Sequence, residues 1–205
     1  MSITESSEQN KIITQWEAIK NTNIINIKCQ RVKEIDTLNV KPQRGGVILY
    51  TVYNNIIYIG LGVDAPTHDL TDFAGGITYK KENIIEGSLR EFQEETLNIF
   101  ENITLESIMD CLVLYEKNNF VIFIPINCDP DLISKTFNIK YQNEILKLNK
   151  LRSDNSPEKD PEVCGITWLT LEEFKSSIND NTPEKILYSR TRNFLRRGGD
   201  FFHLF

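Results

Sequence analysis

Three glutamates, Glu91, Glu94 and Glu95, stand at positions i, i+3 and i+4 within the run GSLREFQEETLN. On a helix those positions share one patch. Like charges at this spacing repel by roughly 0.2–0.5 kcal/mol per pair, and a cation relieves the repulsion. Hard divalent ions take oxygen ligands, and Mg²⁺ in particular is held by a few carboxylates together with substrate phosphate. The chemistry such a patch offers is therefore metal held against a polyphosphate. Taken alone, three glutamates on a helix are an ordinary solvated face, so the surroundings must decide.

The elements that would position the patch can be read outward from it. Asn83 is a plausible N-cap, and Glu86 three residues later completes a capping box. Ile85, Leu89, Phe92 and Thr96 form the core-facing stripe of a helix at about 84–97. Upstream, Gly45-Gly46 opens the apolar run VILYTVY, Asn54-Asn55 signals a turn, and IIYIGLGV follows, which predicts a β-hairpin. DFAGG then leads into the helix. Residues 104–116 and 119–127 predict a second hairpin around Lys117-Asn118. CGITWL reads as a short strand, and LEEFKSSI and PEKILYSRTRNFLRR as two closing helices. Residues 1–40 read as an N-terminal extension with a short amphipathic helix near 8–20, carried by Ile12, Ile13, Trp16 and Ile19. The stretch 130–161 carries charge, three prolines and a helix-like segment near 142–151, and reads as a partly mobile insertion. Strands, a helix, more strands and then helices predict an α/β (α+β) domain over 41–205, with one mixed sheet and helices on its faces.

The segment around the glutamates adds the deciding pattern. Gly76 is followed by five residues and Glu82, then by seven more and Arg90-Glu91, and then by Phe92, Gln93, Glu94 and Glu95. This resembles the Nudix box, G-x5-E-x7-R-E-U-x-E-E-x-G-U, where U is a bulky aliphatic residue. Three positions depart from it: Leu97 replaces the last glycine, Asn98 the final aliphatic residue, and Phe92 is bulky but aromatic. The glycine usually lets the chain leave the helix in a left-handed turn. Asn98 can adopt that conformation, which would displace the turn by one residue. The resemblance implies a Nudix-type α/β/α sandwich with a central mixed sheet, and hydrolysis of a phosphoanhydride in a nucleoside diphosphate linked to another group. It implies Mg²⁺ or Mn²⁺ held by Glu91, Glu94, Glu95 and the carbonyl of Gly76. Arg90 would pair with Glu82 to fix the loop against the helix. Members that decap RNA, and members that bind nucleotides without catalysis, are the alternatives.

Further candidates follow the same resemblance. Glu162, six residues before Trp168, is placed as an extra ligand or general base, with Asp160 a weaker choice from the same loop. Tyr115 is a candidate for stacking on a base, and Lys80, Lys81 and His68 for touching substrate near the box loop. Arg190, Arg192, Arg196 and Arg197 make the C-terminal helix basic, and would be the place for phosphate or RNA contact. The formal charge of −6 excludes a whole-protein basic field for nucleic acid. No apolar run reaches the roughly 18 residues a membrane helix needs. The four cysteines, Cys29, Cys111, Cys128 and Cys164, are scattered, form no C-x-x-C pair and read as free thiols of a reducing, cytoplasmic compartment. The expected partner is a small nucleotide, and the chain is compatible with a homodimer.

Overall fold

The glycine pair, the Asn-Asn turn and the alternating apolar runs generate a sheet whose two faces are both covered. The computed structural model describes residues 27–153, 160–179 and 186–199. The helix expected near 8–20 lies outside them. Strands β2 (Arg44–Tyr53) and β3 (Ile56–Asp64) form the first expected hairpin. Its two-residue turn places Asn54 and Asn55 at φ of 51° and 62°, a left-handed pair whose twist suits a tight hairpin and which Asn tolerates. Strand β7 (Asn119–Pro125) runs parallel to β2, in register from Arg44↔Asn119 to Tyr50↔Pro125. Strand β6 (Leu112–Tyr115) pairs antiparallel with β7, and β1 (Lys28–Arg31) with β6. On the other side of β2, β5 (Phe73–Gly76) pairs with its first half, while β4 (Leu70–Thr71) and β8 (Val163–Thr170) pair with β3. The result is one mixed sheet of eight strands among the described residues.

Period-two alternation divides the core between the faces of that sheet. Val47, Leu49, Phe120, Ile122 and Ile124 face one way, beneath Ile84, Ile85, Leu89 and Phe92 of helix α1 (Ile84–Glu95) and Phe137 of helix α2 (Pro130–Ser153). Ile48, Ile59, Leu61, Val121 and Phe123 face the other way, beneath Phe174 and Ile178 of α3 (Leu171–Asn179) and Phe194 and Leu195 of α4 (Ser189–Arg197). Each fully buried side chain of this size contributes about 1.5–3 kcal/mol relative to exposure. The architecture is the expected three-layer α/β/α sandwich. No helix among the described residues is long and apolar enough to cross a membrane.

Four stretches differ from the sequence-based expectation. Residues 28–35 belong to the domain: β1 is a strand of the sheet, and Val32 and Ile35 enter the first core cluster. The stretch 104–111 holds a short 3-10 turn, Glu106–Ile108, in place of a strand. Thr104 and Ser107 each receive the other's backbone N–H on their side-chain oxygen, a local alternative to a sheet ladder. The closing helix begins at Ser189, because Leu187 bridges to Leu70 at the sheet edge. Most consequential, residues 130–153 are one continuous helix. Asp129 accepts the N–H of Asp131, and Pro130 occupies the first turn, where a missing N–H costs nothing. Phe137 joins the first core cluster, Leu148 is buried as well, and Ser134 donates to the carbonyl of Ile166 in β8 at 2.9 Å.

Candidate active site

Helix α1 is fastened at both ends and along its length. At its start Asn83 accepts from the N–H groups of Ile85 and Glu86, while Glu86 receives the N–H of Asn83, the expected capping box. Along the middle, Phe92 meets Phe73 edge-on at 5.7 Å and stacks on Phe100 at 5.4 Å. Glycines permit the close approach. A Cβ on Gly45 would stand 2.2 Å from the Ser88 hydroxyl, so another residue there would force that hydroxyl off its bond to the Ile84 carbonyl or push α1 away from β2. At the exit Leu97 and Asn98 both take left-handed conformations, φ 54° and 57°, and Asn98 donates to the Gln93 carbonyl at 2.7 Å. The turn is therefore not displaced by one residue: Leu97 itself adopts the backbone that the motif gives to glycine.

Arg90 ties the two halves of the motif together. Its Nε and Nη2 donate to the two oxygens of Glu82, each at 2.8 Å, and Nη2 also donates to the carbonyl of Gly76 at 3.2 Å. Its Nη1 lies 2.9 Å from Glu91 and 3.1 Å from Glu94. The bidentate bond from Arg90 holds the Glu82 carboxyl down at about 2. The pairing of Glu82 with Arg90 is thus present in the fold. The Gly76 carbonyl, expected to face a metal, is here an acceptor for Arg90.

The three helix glutamates occupy different environments. Glu94 is exposed. Glu91 is half-buried against Gly75, and burial raises its pKa while Arg90 opposes the shift. Glu95 faces inward, accepting the backbone N–H of Ala74 at 2.8 Å. Burial first, and the neighbouring charge of Asp72 second, push it up to about 9. Glu95 is thereby drawn inward from the patch that the three glutamates share along the helix. Asp72 is fully buried, and its carboxylate is held low by Arg44, with Thr191 of α4 donating to it as well. Neither Arg44 nor Asp72 was singled out from the sequence. Asp72 was legible as the first residue of DFAGG, but its partner comes from β2, twenty-eight positions away.

A cleft of about 720 Å³ opens over these carboxylates. Glu91, Glu94 and Glu95 form one wall, and Asp160 and Glu162 come from the segment before β8. The Glu162 carbonyl accepts the N–H of Ala65, which fixes that segment to the end of β3. Helix α2 forms the remaining wall with Lys140, Glu144, Lys147 and Leu148. The other sequence candidates do not join this cleft. Tyr115 is only 7% exposed, donates its hydroxyl to Gln30 and lines a separate hollow of about 280 Å³ beside Lys28 and Lys41. Its ring is packed near Phe120, 6.0 Å between centroids, and is not free to stack on a base over the acidic wall. Lys80 and Lys81 are exposed on the box loop. His68 is exposed in the turn after β3, its Nδ1 3.9 Å from the Cys164 sulfur. Arg196 donates twice to the Ile178 carbonyl and Arg197 to Glu116, so both anchor α4. All four cysteines are free.

The donor set fits a hard divalent ion. It consists of carboxylate oxygens, one of them desolvated and held beside like charge. As the side chains stand, no three acidic, His or Cys groups among the described residues converge as a ready metal cluster. Arg90 lies between Glu91 and Glu94, and Glu95 is turned to Ala74. Gly75 gives a direct test of how tightly Glu91 is placed. A Cβ there would meet the Glu91 carboxylate at 2.2 Å, and that flexible end can swing aside. Gly75→Ala should therefore keep its fold, with melting within a few degrees of the parent, while any Mg²⁺- or Mn²⁺-dependent turnover falls at least about tenfold. Unchanged turnover would show that the position of Glu91 does not matter.

No protein-family model matches the chain, and no curated protein matches it. Among solved structures, the chain is similar to an Ap4A hydrolase of C. elegans at 19% identity and a TM-score of 0.39, over 77% of this chain and 96% of that one. It is also similar to a binary complex of a C. elegans Ap4A hydrolase, at 17% identity and a TM-score of 0.41, over 80% of this chain and all of the other. Likeness at this level fixes neither substrate nor chemistry.

Proposed function

We propose that the chain is a Nudix-type hydrolase that uses Mg²⁺ or Mn²⁺ to cleave a phosphoanhydride bond in a nucleoside diphosphate linked to a further group. The observation that carries this reading is the double hydrogen bond from Arg90 to Glu82, with Gly76 bound to the same guanidinium. It explains in geometry why a glycine, an acid and an Arg-Glu pair should recur at these spacings. It also leaves Glu91, Glu94 and Glu95 lining one cleft together with Glu162 from the segment before β8. The metal, when bound, supplies neutralisation of phosphate oxygens and a more acidic water.

The chain's own groups then divide the work. Glu91, Glu94 and Glu95 offer the oxygens that hold the ion. Arg90 and Glu82 keep the glycine loop against α1, a positioning duty. The Glu162 carboxylate takes the proton released as water oxygen bonds to phosphorus and the bridging P–O bond breaks, the leaving phosphate departing with the electron pair. Turnover of a panel of nucleoside diphosphate derivatives and nucleotides with Mg²⁺ and Mn²⁺, followed by product phosphate, tests the reading. Hydrolysis of none of them would sink it.

A divalent ion should also raise the melting temperature. It binds only where α1 and the loop are assembled, so mass action favours the folded chain. Na⁺ at matched ionic strength is the control for simple screening. If Mn²⁺ stabilises no more than Na⁺, and calorimetry detects no Mn²⁺ binding, the acidic wall is only a solvated face.

A further inference from the structure

We propose that Lys140 and Lys147 of α2 form the phosphate-binding side of the cleft, gripping a chain of linked phosphates in the substrate. This rests on the hydrolase reading for its biology, though not for its test. The cleft gathers carboxylates from three elements: α1, the segment before β8, and Glu144 of α2 itself. A polyanion would be repelled from such a hollow unless cations also face it. Lys140 and Lys147 are the two basic residues on its walls among the described residues. They come from a different helix than Glu91, Glu94 and Glu95 but line the same cleft, so an anion held at the carboxylates by a cation lies in a hollow that the two lysines also line.

Their helical positions support a shared role. Residues 140, 144 and 147 fall at i, i+4 and i+7, one face of α2. Seven residues of helix place the two lysine α-carbons about 10 Å apart, and flexible four-carbon stems let both ammonium groups follow an extended anion. Packing fixes that face. Phe137 and Leu148 are buried, and Ser134 anchors the helix to β8, so α2 cannot roll to present another side. Neither lysine is locked elsewhere. Lys147 has an i,i+3 contact with Glu144 at 3.3 Å on an exposed surface, of a kind worth little. Lys140 has no ion pair among the described residues.

The test uses the full chain and inorganic tripolyphosphate as the probe, with Mg²⁺ present, by calorimetry, alongside steady-state kinetics on whichever nucleotide is turned over. Lys140→Glu with Lys147→Glu should weaken tripolyphosphate at least tenfold. It should raise KM by a similar factor while kcat changes less than about threefold. Lys140→Arg with Lys147→Arg should stay close to the parent. Lys135→Glu changes the net charge from the same helix without lining the cleft, and should leave both readouts unchanged. The lysines are exposed, and unchanged melting verifies that each variant is folded. The proposal is overturned if the double reversal binds tripolyphosphate as the parent does, if Lys135→Glu weakens it as much, or if the parent does not bind it at all. Should the parent bind tripolyphosphate through these lysines yet hydrolyse nothing, the hydrolase reading fails and the phosphate site stands.

Discussion

A Glu95→Gln variant is expected to fold, to melt at or above the parent's temperature without divalent ions, and to lose at least about a hundredfold of metal-dependent turnover. Glutamine keeps the shape and the oxygen that accepts the Ala74 N–H. It removes a carboxyl that burial and Asp72 force to take up a proton on folding. The sign of the pH effect follows. The folded carboxyl holds its proton up to about 9, whereas an ordinary one releases it near 4.5. Between those values the folded chain binds more protons than the unfolded one, so the metal-free protein loses stability as pH rises through the window. The variant should lack that decline. A bound cation should cancel it in the parent, because the ion favours the ionised form. Parental turnover in the variant, measured with Mg²⁺ and Mn²⁺, would remove Glu95 from the metal site.

Arg90→Ala should lower both stability and rate. The substitution deletes two charge-assisted bonds to Glu82 and one to Gly76, and leaves Glu91 and Glu94 without their cation. Bonds to charged groups contribute about 1.5–3 kcal/mol each, and the partly exposed guanidinium falls toward the lower end. For a domain of this size a loss of about 2–3 kcal/mol corresponds to roughly 4–12 °C of melting temperature. Turnover should fall on the order of a hundredfold, since the glycine loop is no longer held to α1. The acid limb of stability should move as well. Glu82, depressed to about 2 by Arg90, contributes stability above its ordinary pKa that is lost as pH falls toward 2. That contribution should vanish with the arginine. An unchanged melting curve with lost activity would instead place Arg90 on the substrate.

Much of the architecture could be read from local signals, and the failures share a cause. The Asn54-Asn55 turn, the capping box at Asn83 and the stripe Ile85, Leu89, Phe92, Thr96 are short-range features, and the fold contains each of them. Helix α2 was legible only in part. Its N-terminal signal, Asp129-Pro130, stands before a run whose apolar residues are spread around the helix, so no single stripe stands out. The inward turn of Glu95 depends on Ala74, and the phosphate-facing side of α2 depends on β8, neither of which lies within a helical turn of the residue concerned. For Tyr115 the sequence offers only its distance from the box. Its hydroxyl partner, Gln30, comes from β1, a strand with no local signal that joins it to the domain.

The parallel pairing of β2 with β7 also has a kinetic meaning. Arg44 cannot meet Asn119 until the intervening chain, which carries β3, β5 and the whole of α1, has been looped back. Closing such a loop is entropically costly, and folds rich in distant pairings form slowly. The cleft needs still later parts of the chain, α2 and the segment before β8. The proposed ion site is therefore a product of folding and not its nucleus. A cation that stabilises the finished cleft leaves the rate of formation nearly unchanged and acts by slowing the escape from the native state.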